Sequence, residues 1–254
     1  MFVKKFIASL LTMALILLSV SSGPVSYADT DVDTDVGTDV EKEEYVVVIN
    51  AGHQSKNDLR KESYAPGSDK KKYRVTSGTR GIATKVNEGD RNLQVAKRLA
   101  KDLEAAGIKV YLTRTKNNVN ISNSSRAKFA NKLKADLVIS LHCDACGDKS
   151  VKGITMLVPK KNKWTKKIYP KSLDAGKIVL GKVIGTTKAK NRGISKRSDI
   201  TGFNYSKVPT ILIEMGFMTN KNEDRKLATA GYQKKLSKGM AKGIIKYLNN
   251  QEIQ

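Results

Sequence analysis

The 254-residue sequence contains only two histidines, His53 and His142, and each follows a run of β-branched and aliphatic residues. Such runs are typical of strands that are buried in a parallel sheet. Because open α/β sheets bind ligands at the carboxyl edge of their strands, we expect both imidazoles at one such edge. A single histidine at a strand end is more often a hydrogen-bonded structural residue. The placement of both histidines favours a metal site or catalysis.

Glu88 is the candidate for a further metal ligand. A catalytic zinc site takes three protein ligands and leaves a fourth position for water, so two histidines require a third ligand, commonly a carboxylate. Glu88 directly precedes a predicted helix, where the chain returns to the sheet edge. An acid in this position can equally serve the helix dipole or a cap. The sequence lacks a His-Glu-x-x-His motif, which excludes the common metalloprotease helix.

Glu214 is the second acid of interest. It lies between the apolar segments 211–213 and 215–217, which places a carboxylate at the end of a predicted strand in apolar surroundings. Burial of this kind raises the pKa of a carboxyl group and allows it to exchange protons near neutrality. The alternative is a buried ion pair with one of the many cations. Glu214 is therefore a candidate general base or acid.

The elements that must position these residues alternate between strand and helix. Short apolar runs predict the strands, and apolar residues at helical spacing predict the helices. This alternation predicts a single α/β domain, with a mostly parallel or mixed twisted sheet and helices on both faces. The predicted strands are 45–50, 108–112, 136–141, 153–158 and 209–213, and the predicted helices run from 93 to a stop at Gly107 and over 122–133, 173–184 and 232–248.

The N-terminal region has the features of a secretory signal peptide. Lys4 and Lys5 precede the apolar run 6–20, and Ser26-Tyr27-Ala28 offers a signal-peptidase site, so residues 1–28 are predicted to be removed. A membrane anchor is disfavoured because the run is shorter than the ~20 residues of a spanning helix. Residues 29–44 form an acidic low-complexity segment, predicted to be a linker. The catalytic domain is predicted to cover 45–254.

The charge of the chain indicates a polyanionic environment. Lys and Arg number 47 against 24 Asp and Glu, which gives a net charge of +23. A secreted protein with one Trp is a poor candidate for binding nucleic acid, and we expect no nucleic-acid partner. Anionic cell-wall polymers suit the predicted compartment better.

Five segments of the sequence, in their order and spacing, resemble the type 3 zinc-dependent N-acetylmuramoyl-L-alanine amidases of bacterial cell walls. The resemblance covers about 46–248 and implies that His53, Glu88 and His142 hold Zn²⁺. It further implies that Glu214 is the catalytic general base and acid. The segments are Ile49-Asn-Ala-Gly-His53, Glu88-Gly-Asp-Arg-Asn-Leu93, Val110-Tyr-Leu-Thr-Arg114, Ser140-Leu-His142 and Ile213-Glu-Met-Gly-Phe-Met-Thr-Asn220.

The resemblance implies a secreted hydrolase of the cell wall or spore envelope, with peptidoglycan as its substrate. The bond cut would be the amide between N-acetylmuramic acid and L-alanine. Two alternatives stay open: a zinc peptidase that acts on wall peptides, and an inactive wall-binding module, although retention of all four site residues argues against the latter. An activator or anchoring protein also stays open. The segment between His142 and Glu214 has little room for a blocking helix, so basal activity is expected.

The sequence departs from the family pattern directly after His142. Relatives usually carry an Asn and small residues there, whereas this chain has Cys143-Asp-Ala-Cys146. Two cysteines at this spacing in a secreted protein can close a local disulfide. A disulfide or free thiols are favoured over metal ligation, because three ligands already suffice for zinc.

Overall fold

The structure, a computed structural model, describes residues 44–251. Strands and helices alternate along most of this range, as predicted. The strands are β1 (Val46–Ala51), β2 (Asp58–Ser63), β3 (Lys71–Val75), β4 (Lys109–Leu112), β5 (Leu137–Asp144), β6 (Ile154–Pro159), β7 (Asn191–Arg197) and β8 (Thr210–Phe217). The helices are α1 (Glu88–Glu104), α2 (Asn123–Lys132), α3 (Tyr169–Thr187), α4 (Thr201–Tyr205), α5 (Lys221–Ala228) and α6 (Ala230–Asn249).

The predicted signal peptide, 1–28, lies outside the described residues, as does the predicted linker except for its last residue, Glu44. That residue is paired with Lys109, with 2.9 Å between Oε2 and Nζ. The last three residues of the predicted catalytic domain, 252–254, also lie outside the description. Among the described helices, none is both long enough and apolar enough to cross a membrane.

Six strands form one mixed sheet in the order β4-β1-β5-β8-β6-β7. Neighbouring strands are parallel except for β6 and β8, which are antiparallel. The predicted α/β fold with a mixed sheet is confirmed. Register decides the position of the site residues, because His142 on β5 pairs with Glu214 on β8.

One face of the sheet packs into a large apolar core beneath α1, α3 and α6. Since side chains alternate across a strand, every second residue of a central strand points to this face. Ile139 and Leu141 of β5 and Ile211 and Ile213 of β8 are all completely buried there. The helices contribute apolar stripes that include Leu99, Val179 and Ile244. This face carries most of the apolar burial of the domain.

The other face of the sheet is covered only in part, by α2 and α4. Small apolar clusters lie beneath them, one around Val48 and Val138 and one formed by Leu157, Phe203 and Leu212. The polar residues Ser140, His142 and Glu214 share this face. The helices therefore occupy both faces, as predicted, and the thinner layer leaves room for a cleft.

Several helix boundaries follow the predicted signals. Ser122 caps α2 and accepts a hydrogen bond from the backbone N–H of Ser125. Gly107 follows α1 with a φ of 77°, a conformation that favours glycine. However, α1 begins at Glu88, five residues before the predicted start at Leu93, because the polar first turn 88–92 lacks the apolar spacing on which the prediction depended.

Five described elements were absent from the prediction: β2 and β3, which form a hairpin, and β7, α4 and α5. The hairpin segments are polar and largely exposed, so they carry no alternating apolar signal. Contacts with Trp164, which lies outside the hairpin, fix its position. The ring of Tyr64 packs edge-on against Trp164, and the indole N–H of Trp164 donates to the backbone oxygen of Pro66. Its position is thus decided by tertiary contacts.

Candidate metal centre

The first predicted ligand, His53, lies two residues after β1 in a tight turn. Its φ is 59°, a left-handed conformation that is uncommon for a residue with a side chain. Gly52 allows the ring of His142 to approach, because a Cβ at position 52 would lie 2.3 Å from His142 Nε2. The turn therefore brings the two imidazoles together, and their ring centroids are 4.8 Å apart.

Two buried arginines hold this turn from beneath. Arg114, after β4, donates to the backbone oxygens of Ala51 and Gly52. Arg126, on α2, donates to the backbone oxygens of Ala51 and His53. Burial lowers the pKa of Arg114 to about 10 and that of Arg126 to about 9, so both remain cationic at neutral pH. The carbonyl groups of the strained turn are thus held by charge-assisted hydrogen bonds.

Glu88, the first residue of α1, joins the two histidines. One carboxylate oxygen, Oε2, lies 3.2 Å from His53 Nε2, and the other, Oε1, lies 3.1 Å from His142 Nδ1. The backbone N–H groups of Thr79 and Cys143 also donate to this carboxylate. The ligand atoms of the three residues all lie within 4.8 Å of one another. The structure therefore brings together the three predicted ligands.

The second ring nitrogen of His53 determines where its proton lies. Nδ1 is 2.8 Å from the backbone oxygen of Thr76, and a carbonyl oxygen only accepts, so Nδ1 must donate. The lone pair of the neutral ring is then on Nε2, facing Glu88 Oε2 at 3.2 Å. Two acceptors repel each other at this distance unless a proton or a metal cation lies between them. The contact therefore requires either a protonated His53, which would donate to Glu88, or a metal cation between the two atoms.

The pKa values of the cluster show how strongly its members interact. Burial alone would raise the pKa of Glu88, but hydrogen bonds from both histidines hold it well below its ordinary range. Burial lowers the pKa of His142, and this effect exceeds the opposing influence of Glu88. For His53, burial is outweighed by the hydrogen bond and charge of Glu88, which raise its pKa. The metal-free cluster therefore has an anionic carboxylate beside a neutral His142.

This donor set fits a zinc ion in composition and spacing. Two imidazoles and one carboxylate are a known zinc set, with bond lengths of ~2.0–2.2 Å. Tetrahedral ligands at such lengths are about 3.3 Å apart. Each histidine nitrogen lies near that distance from one oxygen of Glu88, 3.2 Å from Oε2 for His53 and 3.1 Å from Oε1 for His142. Because the ligand atoms all lie within 4.8 Å of one another, the three residues could hold Zn²⁺.

Glu214 lies beside His142 on the cleft face of the sheet. Its Oε2 atom is buried, and no described residue shares a hydrogen bond with it. Burial and, after it, the charges of Glu88 and Asp144 raise the pKa of Glu214 well above its ordinary value. Arg197 acts in the opposite direction. The structure therefore places at the cleft a partly buried carboxyl group with a raised pKa, at the position that the sequence singled out.

A cleft with a volume of about 280 Å³ connects these residues. His53, His142 and Glu214 lie along it, and the β2–β3 hairpin contributes Lys72 and Tyr73 to its wall. Lys72 donates to the backbone oxygen of Asp199 at 2.6 Å, which ties the hairpin to the loop before α4. The candidate site is therefore accessible at the cleft and partly covered by an element that the sequence did not reveal.

The two cysteines are free. Cys143 is buried in the large core, since it points to the opposite face of β5 from His142. Burial raises the pKa of its thiol well above the ordinary value, which keeps it protonated. The structure thus has the free thiols that were one of the two favoured states, and the described metal-ligand cluster contains neither cysteine.

Three residues that support the site were missed by sequence reasoning. Arg126 and the backbone of Thr76 orient His53, and Asn92 donates to Glu88 Oε1 at 3.3 Å. The sequence offered one signal for Arg126, since it lies among the small residues of α2. A buried cation at such a position needs hydrogen-bond acceptors nearby. The role of Thr76 could not be predicted, since any residue can supply a backbone carbonyl.

A family model described as N-acetylmuramoyl-L-alanine amidase matches residues 47–246. The chain belongs to this amidase family. It is 30% identical over 166 residues to N-acetylmuramoyl-L-alanine amidase LytC of Bacillus subtilis, covering 63% of this chain and 31% of LytC. It is 28% identical over 201 residues to the amidase AmiC of Escherichia coli, covering 64% of this chain and 48% of AmiC.

The fold is also similar to a solved amidase structure. The crystal structure of N-acetylmuramoyl-L-alanine amidase from Clostridium difficile 630 superposes with a TM-score of 0.69 and 28% identity, covering 82% of this chain and 98% of that one. By contrast, the chain spans only about a third of LytC and half of AmiC. The similarity to these two longer relatives therefore covers only part of their length.

Proposed function

We propose that this protein is a secreted, zinc-dependent N-acetylmuramoyl-L-alanine amidase of the cell wall or spore envelope. It hydrolyses the amide bond between N-acetylmuramic acid and L-alanine in peptidoglycan. The observation that carries the proposal is that the cleft beside the His53–Glu88–His142 cluster also reaches Glu214, whose Oε2 has no hydrogen-bond partner among the described residues. Membership of the amidase family supports this choice of bond.

His53, Glu88 and His142 would hold the zinc ion. When bound, zinc lowers the pKa of a water ligand towards ~7 and polarises a carbonyl group. The protein prepares the donors in advance, because Thr76 fixes the tautomer of His53 and burial keeps His142 neutral. A ligand set that is oriented by such neighbours loses less freedom on binding the ion.

Glu214 would act as the general base and acid. It would accept the proton of the attacking water and deliver that proton to the nitrogen of the leaving L-alanine. The raised pKa supports both steps, since a carboxyl group with an ordinary pKa is a weaker proton acceptor near neutrality. No covalent enzyme intermediate is required for this sequence.

The decisive assay uses purified sacculi as the substrate. An amidase releases free L-alanine amino termini from sacculi and produces no new reducing sugar. A zinc peptidase would expose other amino termini, and an inactive wall-binding module would expose none. Bound metal is measured on the same preparation, and removal of zinc with a chelator should stop the release until zinc is returned.

The chain should also show basal activity without a partner. The segment between β5 and β8 is occupied by β6, α3, β7 and α4, and the cleft reaches His53, His142 and Glu214. We therefore expect the purified protein alone to release amino termini from sacculi. Complete inactivity until a second protein is added would show that an activator is part of the mechanism.

A further inference from the structure

A second cleft, called here the basic cleft, lies on the side of the sheet covered by the large helices. It has a volume of about 540 Å³ and separates the outer surface of α1 from the junction of α5 and α6. α1 contributes Gln94, Lys97, Arg98 and Lys101, and the junction contributes Ala230 and Gln233. None of these residues belongs to the candidate metal centre.

The basic cleft contains a rigid polar floor. Gln233 is only 3% exposed, and its amide N–H groups donate to Gln94 Oε1 and to the backbone oxygen of Leu227. Its amide oxygen accepts from Arg98 Nε at 3.2 Å. The guanidinium of Arg98 is thus held in place through one nitrogen. No described residue accepts from its two terminal nitrogens, which remain available to a ligand.

The charges at the basic cleft are all positive and unpaired. Lys97, Arg98 and Lys101 are exposed, and the ion pairs of the described chain involve other residues. The N-terminus of the 20-residue helix α6 begins at Ala230 and has no acid in its first turn. Thr229 caps this helix by accepting from the N–H of Tyr232, and the helix dipole favours an anion at the same end. Three cations and a helix terminus therefore line one cleft.

We propose that the basic cleft binds the phosphodiester groups of an anionic cell-wall polymer and so holds the protein on its substrate. A guanidinium fork and ammonium groups are the usual partners of phosphate oxygens, and a helix N-terminus adds backbone donors. An open cleft between surface helices also admits a chain that continues at both ends. The inference rests on the proposed function, because it takes the cell wall as the place of action.

The basic cleft, which would attach the protein to the wall polymer, lies apart from the catalytic cleft. With a rise of 1.5 Å per residue, Lys97 and Lys101 lie about 14–20 Å along α1 from Glu88. A polymer bound there leaves the catalytic cleft free for peptidoglycan. Changes in the basic cleft should therefore alter binding to walls and leave the hydrolysis of a small soluble muropeptide unchanged.

The test compares two pairs of lysines that differ only in their place. K97Q/K101Q removes two charges of the basic cleft. K238Q/K242Q removes two exposed charges at the same i, i+4 spacing on α6, away from the cleft. Both variants carry the same net charge, and both pairs are exposed, so each should fold like the wild type. The single variant R98Q serves as a second probe of the basic cleft.

Binding is measured by co-sedimentation with walls across a range of salt concentrations. We expect K97Q/K101Q to lose on the order of tenfold in affinity, with the slope of log affinity against log salt reduced by about 1.5–2. R98Q should lose affinity in the same direction, and K238Q/K242Q less than twofold. Equal losses in the two double variants would overturn the proposal, because they would show that only the total charge matters.

Walls stripped of their phosphodiester polymers identify the ligand. Wild type and K97Q/K101Q should bind stripped walls equally and weakly, and soluble poly(glycerol phosphate) should release the wild type from intact walls. Undiminished binding of the wild type to stripped walls would overturn the proposal in favour of peptidoglycan carboxylates. The sacculus assay tests the proposed amidase function separately from polymer binding. A protein without amidase activity could still bind the polymer, and an active amidase could fail to bind it.

Discussion

The two faces of the six-stranded sheet use the same strands for different purposes. On one face, Ile139 and Ile213 are completely buried beneath three long helices. On the other, His142 and Glu214, on the same two strands, meet an open cleft. The first face stabilises the fold by burying apolar surface. The second face places ionisable groups where burial shifts their pKa values, which costs stability and creates reactivity.

The comparison of the two faces shows how the core face keeps a destabilising site folded. The cleft face contains His53 in a left-handed conformation, the buried Arg126, and a Glu214 carboxyl oxygen that has no hydrogen-bond partner within residues 44–251. Each of these is tolerated because the core face holds β1, β5 and β8 in a fixed register. Changes on the cleft face should therefore affect activity more than stability, and changes on the core face should do the opposite.

The largest expected effect is the loss of the metal centre. His53→Ala, Glu88→Ala and His142→Ala should each abolish bound zinc and the hydrolysis of sacculi, because two ligands do not replace three. The folded structure should persist, since the core face is untouched. Metal content and thermal unfolding are measured together. Stoichiometric zinc in any of these variants would remove that residue from the ligand set.

Glu214→Gln separates binding from chemistry on the same face. The variant should keep zinc and the fold and lose turnover by on the order of 10²-fold or more, which is the scale of general acid-base catalysis. Glu104→Gln, at the exposed end of α1, is the control and should behave like the wild type. Turnover near that of the wild type in Glu214→Gln would exclude Glu214 from the mechanism.

Gly243→Ala tests the core face. A Cβ at position 243 would lie 2.6 Å from the Cα of Val179, so α3 and α6 would have to move apart. Overpacking of this kind costs about 1–3 kcal/mol of unfolding free energy, which exceeds the gain of up to ~1 kcal/mol in helix propensity. Activity per folded molecule should not change. Denaturant unfolding and a sacculus assay measure the two quantities.

Gly181→Ala is the matched control for this variant. Position 181 is inside α3, and a Cβ there would have no atom within 4 Å. The substitution should raise the unfolding free energy by about 0.5–1 kcal/mol, because alanine loses less conformational freedom in a helix. If both glycine variants changed stability equally, close packing of α3 against α6 would not be the cause.

The smallest effect concerns the pH dependence of stability in the metal-free protein. The pKa of Glu214 is raised in the folded state from an ordinary value of 4.5, mainly by burial. Its contribution to stability is therefore fully present below pH 4.5 and is lost as the pH rises through the folded pKa. Glu214→Gln has no such loss. With chelator present, its melting temperature relative to the wild type should rise with pH, and a constant difference would contradict the raised pKa.

Much of the fold followed from local patterns in the chain. The runs 46–51, 137–144 and 210–217 are strands because continuous β-branched and aliphatic residues suit a sheet buried on both faces. The long helices have apolar residues at helical spacing and clear end signals such as Ser122 and Gly107. The predicted ends of these strands were approximate, since His53 follows β1 whereas His142 and Glu214 lie inside β5 and β8, near their carboxyl ends. The types and approximate positions of these residues were therefore readable from the sequence.

What the sequence could not determine depends on contacts between distant segments. Local spacing cannot show that the register of β5 and β8 pairs His142 with Glu214. The β2–β3 hairpin has no apolar alternation, and its place over the cleft depends on Tyr64, Trp164 and Lys72. The tautomer of His53 depends on a backbone carbonyl 23 residues away. The sequence by itself determined the elements and the chemistry of the side chains, whereas only the tertiary structure decided which of them meet, because their distances are set by packing across the whole domain.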